Sequence, residues 1–189
     1  MAYFAVIDTE TNWRNQVMSI GTVAVDVHGF AVVGSKYQVL TPEVAVGGMY
    51  LDGVMYLDGV WMEEAGEPVV CTRRQAMTGL LTWFRELGIR DVFAYNANFD
   101  RNHLPELAGL RWHDIMAKAA YRQYNRALPA SAEYCSTGRL KRGYGVEPML
   151  RLLSGNRTYR ESHNAILDAM DELEIMRLLG YHPGAYDVL

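Results

Sequence analysis

The chain has 189 residues, of which 50% are apolar, and a formal net charge of -4 at pH 7. This size and composition predict a single domain over residues 1–189 with a sizeable core. No stretch reaches the roughly 20 continuous apolar residues of a membrane span, and Asp8 interrupts the apolar start, unlike in a signal peptide. Cys71 and Cys135 lack metal-ligand spacing. We therefore expect a cytoplasmic protein with reduced thiols and no membrane partner.

The charge is distributed unevenly along the chain. Residues 1–70 contain two basic and nine acidic residues, whereas residues 101–160 contain eleven basic and four acidic ones. Fifteen of the eighteen basic residues are arginine, whose planar fork binds phosphate and stacks on bases. This pattern is expected where a phosphate chain is guided to a metal site built of carboxylates. Arginines that merely solvate helix faces would give the same count.

The hydrophobic pattern predicts strands joined by short links in the first part of the chain and mostly helices after them. The short links favour antiparallel pairing of the first three strands. Strands followed by helices predict an α/β fold with a mixed sheet. The predicted strands cover residues 3–8, 16–27, 30–40, 91–95 and 110–113. The predicted helices cover residues 68–87, 100–107, 114–126, 147–153 and 162–179, with a looser region over 128–145.

Residues 41–67 contain a tandem duplication. The hexapeptide Met-Tyr-Leu-Asp-Gly-Val occupies residues 49–54 and again residues 55–60. Each Asp-Gly pair is a turn signal, so the segment is predicted to be an irregular surface loop or a small hairpin. Long insertions are often functional, and the alternative is a lid or partner-contact loop beside the active site.

Two acidic residues share one face of the first strand. Asp8 and Glu10 are two positions apart, and side chains of a strand alternate between its faces. Carboxylates held this close repel each other unless a positive charge lies between them. Hard oxygen ligands suit Mg²⁺ or Mn²⁺, so the pair predicts a divalent-cation site.

Two later segments add to this set. Asp100 follows the predicted strand over residues 91–95, at the point where a helix would begin. His163 precedes Asp168 by five positions, which would place the two about 140° apart on one helix. His163 is therefore expected at the helix entrance, with Asp168 one turn inside. Four carboxylates and one histidine suit phosphodiester hydrolysis with two cations and a proton-accepting base.

These segments resemble the motifs of a known superfamily. The order D-x-E from Asp8, N-x-x-F-D from Asn96 and H-x-A-x-x-D-A from His163 is similar to the three exonuclease motifs of the DnaQ-like, DEDDh superfamily. That superfamily includes the proofreading subunit of bacterial DNA polymerase III, ribonuclease T and oligoribonuclease. The resemblance covers residues 3–179 and implies a ribonuclease H-like mixed β-sheet flanked by helices.

The resemblance also implies a role for each matching residue. Two ions, Mg²⁺ or Mn²⁺, would be held by Asp8, Glu10, Asp100 and Asp168, and His163 would be the general base. The terminal nucleotide of the substrate would meet a second group of residues, with Trp13 stacking on a base. That second group consists of Thr9, Thr11, Trp13, Asn96 and Phe99. Trp13 is equally compatible with a place in the core or at a sheet edge.

The activity implied is that of a metal-dependent 3′–5′ exonuclease. It would act on the 3′ end of single-stranded DNA or RNA and release nucleoside monophosphates. One alternative is a non-catalytic nucleic-acid-binding or polymerase accessory module on the same fold. Another is a phosphodiesterase for very short oligonucleotides. Homodimerisation and association with a polymerase both remain open.

Overall fold

A six-stranded mixed sheet forms the centre of the protein, for which the computed structural model describes residues 3–55 and 68–189. Its strand order is β4-β3-β2-β1-β5-β6. The first three strands pair antiparallel, as predicted, and β4, β5 and β6 pair parallel to their neighbours. The strands are β1 Tyr3–Thr11, β2 Val17–Asp26, β3 Val32–Leu40, β4 Val69–Cys71, β5 Asp91–Ala94 and β6 Arg111–Asp114.

Helices cover both faces of this sheet, which gives a three-layer α/β architecture. The helices in the described residues are α1 Leu51–Met55, α2 Arg73–Leu87, α3 Asn98–His103, α4 Met116–Ala119, α5 Val146–Ser154 and α6 Ala165–Leu179. Short 3-10 helices cover Glu43–Val46, Pro105–Leu107 and Pro183–Ala185. None of the helices in residues 3–55 and 68–189 combines the length and apolarity needed to cross a membrane.

Alternation along β1 divides its side chains between two cores. Phe4 and Val6 pack in the core that contains α5 and α6, whereas Ala5 and Ile7 pack in the core that contains α2. Asp8 and Glu10 continue the even-numbered series, so they face the α6 side of the sheet. Helix α6 contacts β1 and β2 directly.

Two predicted helices are shorter in the structure. Residues 69–71 form β4 instead of a first helical turn, because the β-branched pair of valines extends beside β3. The helix then begins after Thr72, whose side chain accepts a hydrogen bond from the Gln75 amide in a capping box. The prediction of a helix over residues 114–126 was also wrong. Asp114 ends β6, α4 stops at Ala119, and turns follow.

The described part of the duplicated segment, residues 41–55, consists of turns and two short helices, which the prediction of an irregular loop or small hairpin did not include. The 3-10 helix Glu43–Val46 is followed by α1, which contains most of the first hexapeptide copy. Most of the second copy lies in residues 56–67, outside the described residues. The remaining predicted strands and helices are present with ends shifted by up to four residues; the helix predicted over 100–107 ends at His103 and is followed by the 3-10 helix Pro105–Leu107.

Candidate active site

Parallel pairing brings the first two acidic motifs together. β1 runs parallel to β5, with Ala5 opposite Val92, so the carboxyl ends of both strands meet at the same edge of the sheet. β5 ends at Ala94, and helix α3 begins shortly after it with Asp100 in its first turn. The Thr9 hydroxyl donates a 2.7 Å hydrogen bond to Asp100 Oδ1. This contact joins the two motifs directly.

The third motif comes from α6, which crosses this edge. Gly21 on β2 allows the close approach of the helix, because a Cβ there would lie 2.1 Å from the Ala165 carbonyl. Asp168 lies in the first turn of α6 and is buried. His163 lies two residues before the helix. The predicted arrangement, with His163 at the entrance and Asp168 one turn inside, is confirmed.

Burial and mutual repulsion raise the pKa values of the carboxyl groups in this cluster. Burial is the main cause for Glu10, whose pKa rises to about 8, and for Asp168, whose pKa rises to about 9. It also raises the pKa of Asp100 to about 7, although the bond from Thr9 opposes the rise. The pKa of Asp8 lies well above its usual value because of burial and the charges around it. Within residues 3–55 and 68–189, no positive charge lowers the pKa of any of these four carboxyls.

The cluster fits a divalent-cation site. One ligand atom from each of Glu10, Asp168 and His163 can be chosen so that all three lie within 4.8 Å of one another. Asp8 Oδ2 is buried and accepts no hydrogen bond from the described residues. Asp8 and Asp100 lie outside that compact trio. The charge of Asp100 raises the pKa of Glu10, and the charges of Asp100, Asp168 and Glu10 raise the pKa of Asp8. Buried oxygen donors without protein partners are what Mg²⁺ or Mn²⁺ binding requires.

His163 adopts an uncommon backbone conformation at the rim of this cluster. Its φ is +53°, in the left-handed region that few non-glycine residues occupy. The imidazole Nδ1 lies 3.9 Å from Glu10 Oε1, and the side chain is 37% exposed. Burial lowers the pKa of this imidazole, against the opposing charge of Glu147. The neutral form, which accepts a proton, is therefore favoured near pH 7.

Two further acids belong to the site and were missed from the sequence. Glu172 is 1% exposed, and its charge is the strongest carboxylate influence on the pKa of Asp8. Its Oε2 has no partner among the described residues. Glu161 lies close enough to raise the pKa values of Glu10 and Asp168. Glu172 follows Asp168 by four positions, which places both side chains on one helix face. This spacing was the sequence signal that could have identified Glu172 as a site residue.

Tyr50, the residue before helix α1, also reaches the site. The Tyr50 ring stacks on the His163 imidazole, with centroids 3.8 Å apart and an angle of 19° between the planes. The described part of the duplicated segment therefore lies beside the catalytic candidates. That position agrees with the active-site alternative for the segment, whereas its role as a lid stays a prediction.

The residues predicted to contact substrate differ in their exposure and local structure. Trp13 is 67% exposed on a turn that Asn12 stabilises, so it is not a core residue. Thr11 follows a register shift at the end of β1. Asn96, with φ +62°, forms the exposed turn after β5, and Phe99 is 38% exposed on α3. Thr9 is buried, and its hydroxyl is used by Asp100.

No protein-family model and no curated protein matches this sequence. Solved structures do match the fold. The nuclease domain of 3'hExo, a DEDDh family member bound to rAMP, has a TM-score of 0.63 at 15% identity, covering 99% of this chain and 96% of its own. A 3'-exonuclease structure showing 3'-end specific recognition of a histone mRNA stem-loop has a TM-score of 0.63 at 14% identity, covering 98% and 84%.

A full-length 3'-exonuclease gives a TM-score of 0.62 at 15% identity, covering 99% of this chain and 90% of its own. At these identities the similarity shows the fold. The chain has the ribonuclease H-like α/β fold of DEDDh nuclease domains, and the predicted fold class is confirmed.

Proposed function

We propose that the protein is a metal-dependent 3′–5′ exonuclease that acts on single-stranded nucleic acid and releases nucleoside monophosphates. The observation that carries the proposal is the convergence of Asp8, Glu10, Asp100, Asp168 and His163 from three separate motifs at one sheet edge. The fold and the 3'-exonucleases that share it support the same reaction. A binding module has no need for buried acids that raise each other's pKa.

The chemistry follows from the donor set. Asp8, Glu10, Asp100 and Asp168 would hold two Mg²⁺ or Mn²⁺ ions, which supply Lewis-acid stabilisation of the phosphate charge and a more acidic attacking water. The imidazole of His163, whose Nδ1 faces Glu10, would accept a proton from the attacking water. Thr9 holds the Asp100 carboxylate through its hydrogen bond. Trp13 and Phe99 offer exposed rings on which terminal bases stack.

The basic loop over residues 120–145 supports a polymeric nucleic acid as the substrate. The Tyr95 hydroxyl, at the end of β5, donates a 2.5 Å bond to the Tyr144 carbonyl. The Arg139 guanidinium lies 4.7 Å above the Tyr144 ring. Cationic groups paired with aromatic rings beside a nuclease site suit a phosphate backbone and its bases. The substrate we propose is therefore a single-stranded DNA or RNA chain with a free 3′ end.

Degradation of 5′-labelled strands tests this function. Matched single-stranded DNA and RNA are incubated with Mg²⁺, Mn²⁺ or chelator, for the wild type and for Asp8→Asn. We expect a metal-dependent ladder that shortens from the 3′ end, and a rate at least about 10²-fold lower for Asp8→Asn, because a charge-stabilising ligand is lost. His163→Ala should slow turnover by about 10²- to 10⁴-fold while leaving metal binding intact.

The exposed aspartate Asp187 provides a matched control, and Asp187→Asn should retain wild-type turnover. The preferred sugar is read from the ratio of the DNA and RNA rates. Wild-type cleavage that persists in saturating chelator would rule out the metal mechanism. Folded protein that cleaves neither long strand would favour the binding module, and cleavage of dinucleotides alone would favour the short-oligonucleotide phosphodiesterase.

A further inference from the structure

We propose that residues 47–54, here named the clamp segment, position the catalytic histidine, with Tyr50 as the positioning residue. This inference rests on the proposed function, in which His163 is the general base. Tyr50 stacks on the imidazole, and within the described residues its side chain forms no hydrogen bond with an acidic group. Its effect on the reaction would therefore pass through His163.

The stacking geometry restricts how the imidazole can turn. With ring centroids 3.8 Å apart and nearly parallel planes, Tyr50 covers one face of His163. The Nδ1 edge of the same ring lies 3.9 Å from Glu10. Rotation about the side-chain bonds of His163 would break the stack. The contact thus selects an orientation in which the ring edge points into the acidic cluster.

Backbone contacts fasten the clamp segment to the loop that carries His163. A Cβ on Gly53 would lie 2.4 Å from the His163 carbonyl oxygen and 2.5 Å from that of Ser162. Glycine is therefore required for α1 to lie flat against these two carbonyls. The left-handed backbone of His163 is stable only where its surroundings fix it, and this packing is one such contact.

Two buried polar side chains secure the same junction. The Asn164 Nδ2 group donates a 2.9 Å hydrogen bond to the Gly53 carbonyl. The Tyr37 hydroxyl donates a 2.5 Å bond to the Val54 carbonyl. Tyr37 and Asn164 are both almost fully buried, so these bonds are shielded from water. The clamp segment is therefore held beside His163 from β3 and from the start of α6.

Point substitutions test this role, because deleting either hexapeptide copy yields the same sequence. Tyr50→Leu removes the stacked ring, and Tyr50→Phe keeps it. We expect Tyr50→Leu to lower the single-turnover rate by about 10- to 100-fold, since small misplacement of a catalytic group has effects of this size. The KM should stay within about twofold, and Tyr50→Phe should restore most of the rate.

A double-mutant cycle distinguishes positioning from direct substrate contact. In the His163→Ala background, Tyr50→Leu should cause no further loss, because its effect acts through the missing imidazole. The inference would be overturned if the rate losses of the two single variants multiplied in the double variant. It would also be overturned if Tyr50→Leu changed only the KM. The same substitution in the second copy, Tyr56→Leu, is the matched control and should retain the wild-type rate, because the contacts above are made by the first copy.

Gly53→Ala gives a second, independent variant. Its Cβ would displace α1 from the Ser162 and His163 carbonyls, so we expect a rate loss similar to that of Tyr50→Leu. Thermal melting confirms that each variant is folded before its rate is measured. An inactive wild type would refute the proposed function itself. If the wild type is active and both Tyr50→Leu and Gly53→Ala retain the wild-type rate, only the positioning role of the clamp segment would be refuted.

Discussion

At the level of single residues, the acidic cluster is suited to a bound cation more than to the stability of the empty fold. Burial raises the pKa of Glu10 from 4.5 to about 8 and that of Asp168 from 3.8 to about 9. The unfolded chain releases these protons at the ordinary values. Between about pH 4 and pH 9 the folded chain therefore holds more protons than the unfolded one, and its stability falls as the pH rises.

This linkage predicts a pH-dependent stabilisation by metal. Without metal, the melting temperature should fall between pH 6 and pH 9, because the protonated carboxyls that favour the fold are lost as the pH passes their raised pKa values. The increase in melting temperature on adding Mg²⁺ should be larger at pH 9 than at pH 6, since ligands must be ionised to bind it. Thermal melts in chelator and in Mg²⁺ at both pH values measure this.

The matched variant for this experiment is Glu10→Gln. It removes one titrating group, so its metal-free melting temperature should depend less on pH than that of the wild type. A wild-type melting temperature that is constant or rises from pH 6 to pH 9 in chelator would contradict the assignment of unpaired buried acids.

The convergence of Asp8, Glu10 and Asp168 was predictable because strand alternation and helix position fix where these side chains point. The stacking of Tyr50 on His163 was not predictable, because the two belong to segments that only the folded sheet brings together. Glu172 offered a signal through its spacing from Asp168. Its burial could not be inferred, since acids on helices usually face solvent.

At the level of elements, the site depends on the close packing of α6 on β2. Gly21→Ala would place a Cβ 2.1 Å from the backbone of Ala165. Backbone atoms cannot move aside as a flexible side chain can, so we expect a loss of at least about 2 kcal/mol in the free energy of unfolding. Activity should fall with it, because Asp168 follows on the same helix. Denaturant titration measures the stability.

Gly79 is the matched control for this substitution. It lies within α2, and a Cβ there would meet no atom within 4 Å. Gly79→Ala should therefore raise the free energy of unfolding by about 0.5–1 kcal/mol, because alanine has the higher helix propensity. Equal destabilisation by both alanines would show that the packing of α6 on β2 is looser than described.

The errors in the element predictions have local causes. The helix predicted over residues 68–87 begins too early, because the capping box of Thr72 and Gln75 fixes the start of α2. The helix over residues 114–126 was overextended because side-chain hydrogen bonds end it. The Asn125 side chain donates to the Ala119 carbonyl at 2.7 Å, where α4 stops. Such side-chain bonds form only when the chain turns back on itself. The spacing of hydrophobic residues in the sequence does not predict that turn.

At the level of the whole molecule, the charge is arranged by faces of the sheet. The loop over residues 120–145, which contains four arginines and one lysine, packs Leu128 and Leu140 into the core on the α6 side, where Asp8 and Glu10 also point. The opposite core contains α2. A negative site therefore shares its face with a positive loop, although the net charge of the chain is -4. This arrangement favours approach of a phosphate chain from one side.

Removing three charges from that loop tests this arrangement. The triple variant Arg126→Gln, Lys141→Gln and Arg142→Gln changes exposed residues that form no ion pair within the described ranges. We expect weaker binding of single strands, a kcat close to the wild type, and a shallower dependence of binding on salt. Each phosphate contact contributes about 0.7 to the slope of log K against log salt for single strands, so three contacts would lower it by about 2.

The control for this variant removes the same charge from the other face. Arg74→Gln, Arg85→Gln and Arg90→Gln change exposed residues of α2 and the turn after it. Their loss should leave the salt slope close to the wild-type value, because these side chains lie on the side of the sheet away from the acidic cluster. Equal changes in slope for both triple variants would mean that net charge alone steers the substrate. A change only in the loop variant would instead locate the path of the strand on the face that carries His163.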